Sequence, residues 1–241
     1  MSSASREGSD ASLLRRAGAS LSMTNVTRRA DATALDRKML VAKSYTRIAG
    51  AFLRDHSHDP SPRRRAYLEQ AIDGLSGQSW VLDLGCGGGK PAAWLSKRCR
   101  VVGVDIARGQ LELARRNVPD AAFVLADMCS LAFRPGSLDA IVALYSIIHV
   151  PKEEHAPLFA RLHEFLRPGG RLLAVIGAQA WEGLEDDWLG LGAEMFWSHF
   201  DAETGLALLE QAGFRIVTSS IEPDTLIGEG AHLYVLAEKP A

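Results

Sequence analysis

Ser79-Trp80-Val81-Leu82-Asp83-Leu84-Gly85-Cys86-Gly87-Gly88-Gly89-Lys90-Pro91 sets the fold class of this chain. Its first half is an apolar run that ends in a carboxylate, the pattern of a buried parallel strand. Its second half trades side chains for Gly85, Gly87, Gly88 and Gly89. Glycine tolerates positive φ and lets a ligand approach the main chain. Pro91 suits the first turn of a helix, where its missing N–H costs nothing. Strand, glycine turn and helix start together predict a nucleotide-type cofactor site at the carboxyl end of a strand.

Downstream of this stretch, strands and helices alternate. Strands are predicted over Arg100–Asp105, Ala121–Ala126, Leu138–Tyr145 and Arg171–Gly177, with helices over Arg108–Asn117 and Glu153–Leu166 between them. Arg167-Pro168-Gly169-Gly170 stops the second of those helices. After a segment rich in Trp and Gly, Asp201 caps a helix that ends at Gly213. Phe214–Ile221 and Ala231–Glu238 then follow with no helix between them, which requires an antiparallel pair. The fold class is therefore α/β, doubly wound, with five parallel strands and an antiparallel pair.

Upstream, Leu40, Val41, Ser44, Tyr45, Ile48, Ala49 and Phe52 form one stripe of a helix over Ala34–Asp55. A second helix is predicted from Arg63 to Leu75. Residues 1–36 are rich in Ser, Ala and Arg and read as a disordered tail, with a transit peptide or a start at Met23 as alternatives. Residues 37–241 form the domain: a helical cap over 37–77, then the sheet, with a lid at about 179–200 inserted into it.

A formal net charge of −2 and a pI near 6.4 offer no electrostatic footprint for nucleic acid or an anionic membrane. Cys86, Cys99 and Cys129 lack metal or disulfide spacing and read as reduced thiols, so the expected compartment is the cytoplasm. No apolar run has the length of a membrane span. No metal cluster is predicted, because Asp139 starts its strand, on the edge opposite the ligand.

Asp83, Asp105 and Asp127 close three successive strands, which puts all three carboxylates at the ligand edge. Asp105 is placed for both hydroxyls of a ribose and Asp127 for the amine of an adenine. The glycine spacing also permits a dinucleotide fingerprint, because the frame starting at Gly87 reaches Ala92 at its sixth position. Asp83 tips the choice, since a carboxylate two residues before the turn crowds a pyrophosphate and suits an ammonium.

Asp83-x-Gly85-x-Gly87-x-Gly89, Val104-Asp105, Ala126-Asp127 and Leu166-Arg167-Pro168-Gly169-Gly170-Arg171-Leu172-Leu173 resemble, in order and spacing, the motif series of class I S-adenosylmethionine (SAM) dependent methyltransferases. The likeness covers about Ala34 to Lys239 and is greatest to the small-molecule branch that includes ubiquinone/menaquinone and natural-product methyltransferases. It implies a Rossmann-like seven-stranded sheet of order 3-2-1-4-5-7-6 with the last strand antiparallel. It also implies that Gly85, Cys86 and Gly87 line the methionyl group and that Asp83 meets its ammonium. Tyr45 would sit near the carboxylate, Asp105 and Ile106 at the ribose and adenine, Asp127 and Met128 at the adenine edge, and Leu144 and Tyr145 at the sulfonium.

The methyl acceptor is expected to be a small, flat or apolar metabolite with an oxygen or nitrogen nucleophile. Tyr145, His149, Trp181, Phe196, Trp197 and His199 are its candidate contacts, and His149 and His199 the candidate bases. His155 and His163 are predicted on a helix surface. The fourth strand lacks the Asn/Asp-Pro-Pro-aromatic signature of nucleic-acid amino methylation, and no Pro-Cys pair supplies a nucleophile for pyrimidines. A nicotinamide-dependent oxidoreductase and a catalytically silent SAM-binding module stay open as alternatives, as do the acceptor's identity and whether the chain is a monomer or homodimer.

Overall fold

The computed structural model describes residues 32–55, 62–223 and 230–241. The expectations for the tail, transit peptide and alternative start fall on residues 1–31, outside the described residues. The first helix, α1 (Ala34–Asp55), starts with a reciprocal cap. Thr33 Oγ1 accepts the Asp36 N–H at 3.2 Å, and Asp36 Oδ2 accepts the Thr33 N–H at 3.0 Å. Ala34–Asp36, placed in the tail by the boundary at 37, are thus the first turn of α1. The second helix, α2 (Pro62–Ala71), is shorter at its end than the expected Leu75.

The sheet is built from β1 (Trp80–Leu84), β2 (Arg100–Asp105), β3 (Ala122–Leu125), β4 (Leu138–Leu144), β5 (Leu166–Gly177), β8 (Arg215–Pro223) and β9 (Ala231–Glu238), and the insert carries β6 (Trp181–Glu185) and β7 (Met195–His199). Its order is β3-β2-β1-β4-β5-β9-β8, and β9 is antiparallel to both neighbours. Counted among sheet strands alone, this is the expected 3-2-1-4-5-7-6. Helices α3 (Lys90–Leu95), α4 (Arg108–Asn117), α5 (His155–Phe165) and α6 (Ala202–Gln211) make the connections.

Strand alternation divides the core into two faces. Leu82, Ile141, Ala143, Leu172, Ala174 and Val235 pack with Leu158, Phe159, Leu162 and Phe165 of α5 and Leu209 of α6. Val81, Val101, Ala140, Val142, Leu173, Val175 and Leu236 pack with Tyr67, Leu68 and Ala71 of α2 and Ala92 and Leu95 of α3. The result is a three-layer α/β/α sandwich.

Two local readings are corrected. β5 begins at Leu166, directly after α5, because Leu166 already pairs with Leu138 and the ladder resumes at Arg171↔Ala140. Arg167-Pro168-Gly169-Gly170 is therefore an excursion within the strand, turned by Gly169 at φ 74°. His155 is not a surface residue. It is buried, its Nε2–H donates to the Val150 carbonyl at 2.9 Å, and its ring lies against Phe159 and Phe200.

A third apolar cluster sits outside the sandwich. Val41 and Ile48 of α1 pack on Trp188, Ala193, Met195 and Phe196 of the insert, with Tyr45, Phe52 and Trp197 at its margin. The insert is an antiparallel hairpin of β6 and β7. It joins α1 into one cap over the carboxyl ends of the parallel strands.

Candidate active site

The β1 turn is shaped by two close approaches. Gly85 and Cys86 donate their N–H groups to the Val104 carbonyl of β2 at 2.8 and 3.0 Å. On the other side, a Cβ on Gly85 would lie 2.2 Å from the Ser146 Cβ, and the residue holds φ 75°. Ser146 Oγ in turn donates to the Leu84 carbonyl at 2.7 Å. Only glycine fits there.

A cavity of about 190 Å³ opens beside this turn, at the carboxyl ends of β1 to β4. The strand ends contribute Gly85, Cys86, Asp105, Ile106, Asp127, Met128, Leu144 and Tyr145 to its wall, and Tyr45 enters from α1. These are nine of the eleven expected cofactor contacts; Gly87 and Asp83 stay off the wall. Asp83 is 1% exposed, and its Oδ2 has no hydrogen-bond partner among the described residues. Burial, reinforced by Asp105, pushes its pKa up to about 7.

Asp105 is held by two backbone donors. Its Oδ2 accepts from Gly87 N–H and its Oδ1 from Ala107 N–H, both at 2.8 Å. Burial outweighs those bonds and raises its pKa to about 6. Asp127 is more heavily engaged than its sequence role suggested. Its Oδ1 accepts the Cys129 N–H at 2.9 Å, and its Oδ2 meets Lys38 Nζ of α1 at 2.6 Å. Lys38 also reaches Glu154 Oε2 at 2.8 Å. Burial alone would lower the Lys38 pKa, but the hydrogen bonds to both carboxylates hold it above its ordinary value.

His149 stands between the strand ends and the cap. Its Nδ1 lies 2.7 Å from the Phe196 carbonyl, which can only accept, so Nδ1 carries the proton. Burial lowers its pKa to about 4, with the Phe196 bond opposing and His199 and His232 adding to the fall. The neutral ring thus offers a lone pair at Nε2, which accepts from the Tyr45 hydroxyl at 3.0 Å. Trp197 packs beside the imidazole, its ring centroid 4.5 Å away, and Trp188 closes edge-on against Tyr45 at 5.4 Å.

Three expected acceptor contacts do not line the cavity. Trp181 and His199 pair with each other at the open end of the hairpin, two residues beyond the cavity residue Trp197, and His199 Nδ1–H donates to the Gln179 carbonyl at 2.7 Å. Phe196 points to the opposite face of β7, where it packs on α1 under the Arg37 guanidinium. Its contribution to the site is its main-chain carbonyl.

Sequence reading missed several wall residues. Arg64 of α2 lies over the Tyr145 ring, 5.0 Å from its centroid, with Nη2 3.4 Å from the Tyr145 hydroxyl. That hydroxyl is 2.6 Å from the Tyr234 hydroxyl, and His232 stands edge-on to the Tyr145 ring. These contacts hold Tyr145 at φ 56°, a conformation costly for a bulky side chain and common where a site needs one residue aimed against backbone preference. Lys90, Gln110 and Trp188 line the wall as well, and Phe52 of α1 joins Tyr45 there, as the sequence reading of that helix expects. No described group of His, Cys, Asp and Glu could hold a metal, and no described helix is long and apolar enough to cross a membrane.

Comparison with known proteins follows the same residues. A family described as a methyltransferase domain matches residues 81–170, the stretch from β1 to the excursion in β5. The methyltransferase GfsG of Streptomyces halstedii is 39% identical over 118 residues, which cover 46% of this chain and 41% of that relative. An uncharacterized methyltransferase of Synechocystis sp. is 30% identical over 145 residues, covering 57% of this chain and 67% of that protein. A SAM-dependent methyltransferase structure from Methanosarcina mazei superposes with a TM-score of 0.64 at 24% identity, covering 76% of this chain and 99% of that one. The chain spans about half or less of the length of several of its curated relatives.

Proposed function

The chain belongs to the class I SAM-dependent methyltransferases, and from that premise we propose that it moves the methyl group of SAM to an oxygen or nitrogen atom of a small, flat or apolar metabolite. The observation that carries the proposal is the cavity itself. It combines a glycine turn that excludes any Cβ, carboxylates at consecutive strand ends, and an aromatic wall supplied by the cap.

The residues present fit the cofactor. Asp83 is a buried carboxylate with an unmatched oxygen, suited to a nearby ammonium. Gly85, Cys86 and Gly87 offer bare main chain to the methionyl group, and Arg64, Lys90 and Tyr45 suit its carboxylate. Asp105 keeps acceptor capacity for the ribose, because a carboxylate offers about four lone-pair sites and backbone donors use two. Ile106 would pack on the adenine, with Asp127 and Met128 at its edge, and Leu144 and Tyr145 would border the sulfur.

SAM, when bound, supplies a methyl group already activated by its sulfonium. The protein's task is then alignment and exclusion of water, and alignment can contribute roughly 7–11 kcal/mol. Trp188, Trp197, Phe52 and Tyr145 form the apolar walls against which a flat acceptor would lie. His149 is a weak base at a pKa of about 4, so its proposed role is to orient the acceptor through Nε2, sharing that lone pair with the Tyr45 hydroxyl. An acceptor atom that is nucleophilic without strong base assistance suits this site. The aromatic wall supports an acceptor cavity over a silent SAM-binding module.

Titration calorimetry with SAM, followed by incubation with a small-molecule extract, tests the proposal. Heat and stabilisation with SAM, none with NAD, and products heavier by one methylene are expected. If SAM at high micromolar concentration gives neither heat nor stabilisation, the proposal fails.

A further inference from the structure

Trp188 brings an unmet donor to the cavity wall. It sits in the loop between β6 and β7, is 3% exposed, and lines the cavity. Its indole Nε1–H has no hydrogen-bond partner among the described residues. The rings around it are Tyr45, Phe52 and Trp197, with centroids 5.4, 5.4 and 5.7 Å away, and a ring face offers an N–H only a weak contact. An indole buried in this way forfeits its bond to water, whereas Phe would fill much of the same space at no such cost. The backbone is also bent to hold it there. Asp187 at φ 54° and Leu189 at φ 57° flank Trp188, and both take the left-handed conformation without being glycine. The loop is closed across them by the Trp188 main-chain N–H, which donates to the Ala193 carbonyl at 2.8 Å, and by the Asp187 carboxylate, which accepts the Gly192 N–H. Strain of this kind persists where the surrounding structure over-determines it, and it clusters at ligand sites.

We infer that the Trp188 indole N–H binds a carbonyl oxygen of the methyl acceptor, so that the acceptor is a flat molecule bearing an uncharged carbonyl. The inference rests on the methyl-transfer reading above and adds to it a residue and a substrate class. Position separates the acceptor from the cofactor. The cofactor is read at the glycine turn after β1 and at the carboxylates that end β2 and β3. Trp188 belongs to the insert that follows β5, and it packs on Trp197, which lies against His149 beyond the end of β4. The chemical group follows from what this part of the wall can match. An indole N–H only donates, so an amine or ammonium leaves it unmet. Tyr45 and Trp197, the polar rings beside it, spend their own protons on His149 and Glu185. A carboxylate would therefore find one neutral donor among these rings and keep most of its charge unmatched. A hydroxyl would bring a proton that needs a further acceptor. A carbonyl takes the one bond on offer and carries neither burden.

Nuclear magnetic resonance of the indole N–H groups tests this. With S-adenosylhomocysteine bound, the wild type and Trp188→Phe are titrated with acetophenone and with α-methylstyrene, which differ only in a carbonyl oxygen against a methylene. The preference for acetophenone should be about fivefold greater in the wild type than in Trp188→Phe, the effect of one buried hydrogen bond. In the wild type, one of the five tryptophan N–H resonances should move downfield with acetophenone and not with α-methylstyrene, and it should be the one missing from Trp188→Phe. The Kd for S-adenosylhomocysteine, measured by calorimetry, should stay within about twofold in the variant. Equal preferences in the two proteins overturn the inference. So does a rise in that Kd beyond this range, because the N–H would then serve the cofactor. Should the variant not fold, a wild type in which no indole N–H distinguishes the two compounds overturns it as well. A wild type that binds neither compound defeats the reading of an aromatic acceptor wall. One that gives no heat with S-adenosylhomocysteine defeats the cofactor reading, and the inference falls with either.

Discussion

Asp83 is held in the folded chain as a carboxyl that resists ionisation. Burial is the main cause and the nearby Asp105 adds to it, while the Ala92 N–H opposes. Its pKa of about 7 lies above the ordinary value of 3.8, so between those pH values the folded state binds more protons than the unfolded state. Stability from this group is therefore fully present at low pH and is lost as pH rises from about 4 to 7, up to about 4 kcal/mol. Asp83→Asn keeps the shape and removes the titration. The unliganded variant should gain on the wild type across that range, melting higher at pH 8 while the two stay closer at pH 4. Thermal unfolding of both proteins as a function of pH checks this; a difference that stays flat with pH sinks it. The same substitution should weaken SAM binding, because this buried carboxyl is the group that would meet the ammonium.

α1 owes its seat to one buried cation. Lys38 ties it to Asp127 at the end of β3 and to Glu154 ahead of α5, and both carboxylates would face each other without it. Lys38→Met keeps the aliphatic stem and removes the charge, and should cost about 3 kcal/mol, the lower end of what breaking a buried ion pair costs. Adding Glu154→Gln should recover about 1 kcal/mol by removing the repulsion. Denaturant unfolding of the single and double variants measures both; a Lys38→Met protein within about 0.5 kcal/mol of wild type refutes the tether. This tether was not legible in the sequence. Lys38 and Asp127 are 89 residues apart, and their meeting depends on how α1 crosses the sheet edge. What was legible is whatever local pattern dictates: β1 fills the apolar run before the glycine turn, and β2 runs over Arg100–Asp105 as expected, an apolar run with a polar residue at either end. The hairpin was read only as an aromatic lid, since Gly183, Gly190 and Gly192 interrupt its alternation. With its register unknown, Trp181 and His199 could not be told from Trp197, which shares their face of the hairpin but alone of the three reaches the cavity. Gln110 was hidden by the opposite fault: it sits on a helix stripe whose apolar members alone drew notice.

Across the whole molecule, the two sandwich cores meet the cavity only at strand ends and the loops that follow them, such as Val104, Met128, Leu144 and Val150, whereas the third cluster gives it Tyr45, Phe52, Trp188 and Trp197 from α1 and the insert. Ligand binding should then stabilise the molecule unevenly. At a concentration of 100 times Kd, S-adenosylhomocysteine contributes about 2.7 kcal/mol to a state that alone binds it. At about 2–4 °C per kcal/mol for a chain of this size, the melting temperature should rise by about 5–11 °C. Hydrogen exchange resolves where that energy goes. α5 and α6 pack on the face of the sheet away from α2 and α3 and touch none of the cavity, so their amides should change least. Amides of α1 and of the β6–β7 hairpin, which can open without disturbing either sandwich core, should slow most, because a bound ligand links them to the strand ends. Protection that rises equally in α5, α6 and the cap would mean that the cap opens only with global unfolding. The cavity would then be a rigid slot rather than a site whose walls are completed by what it binds.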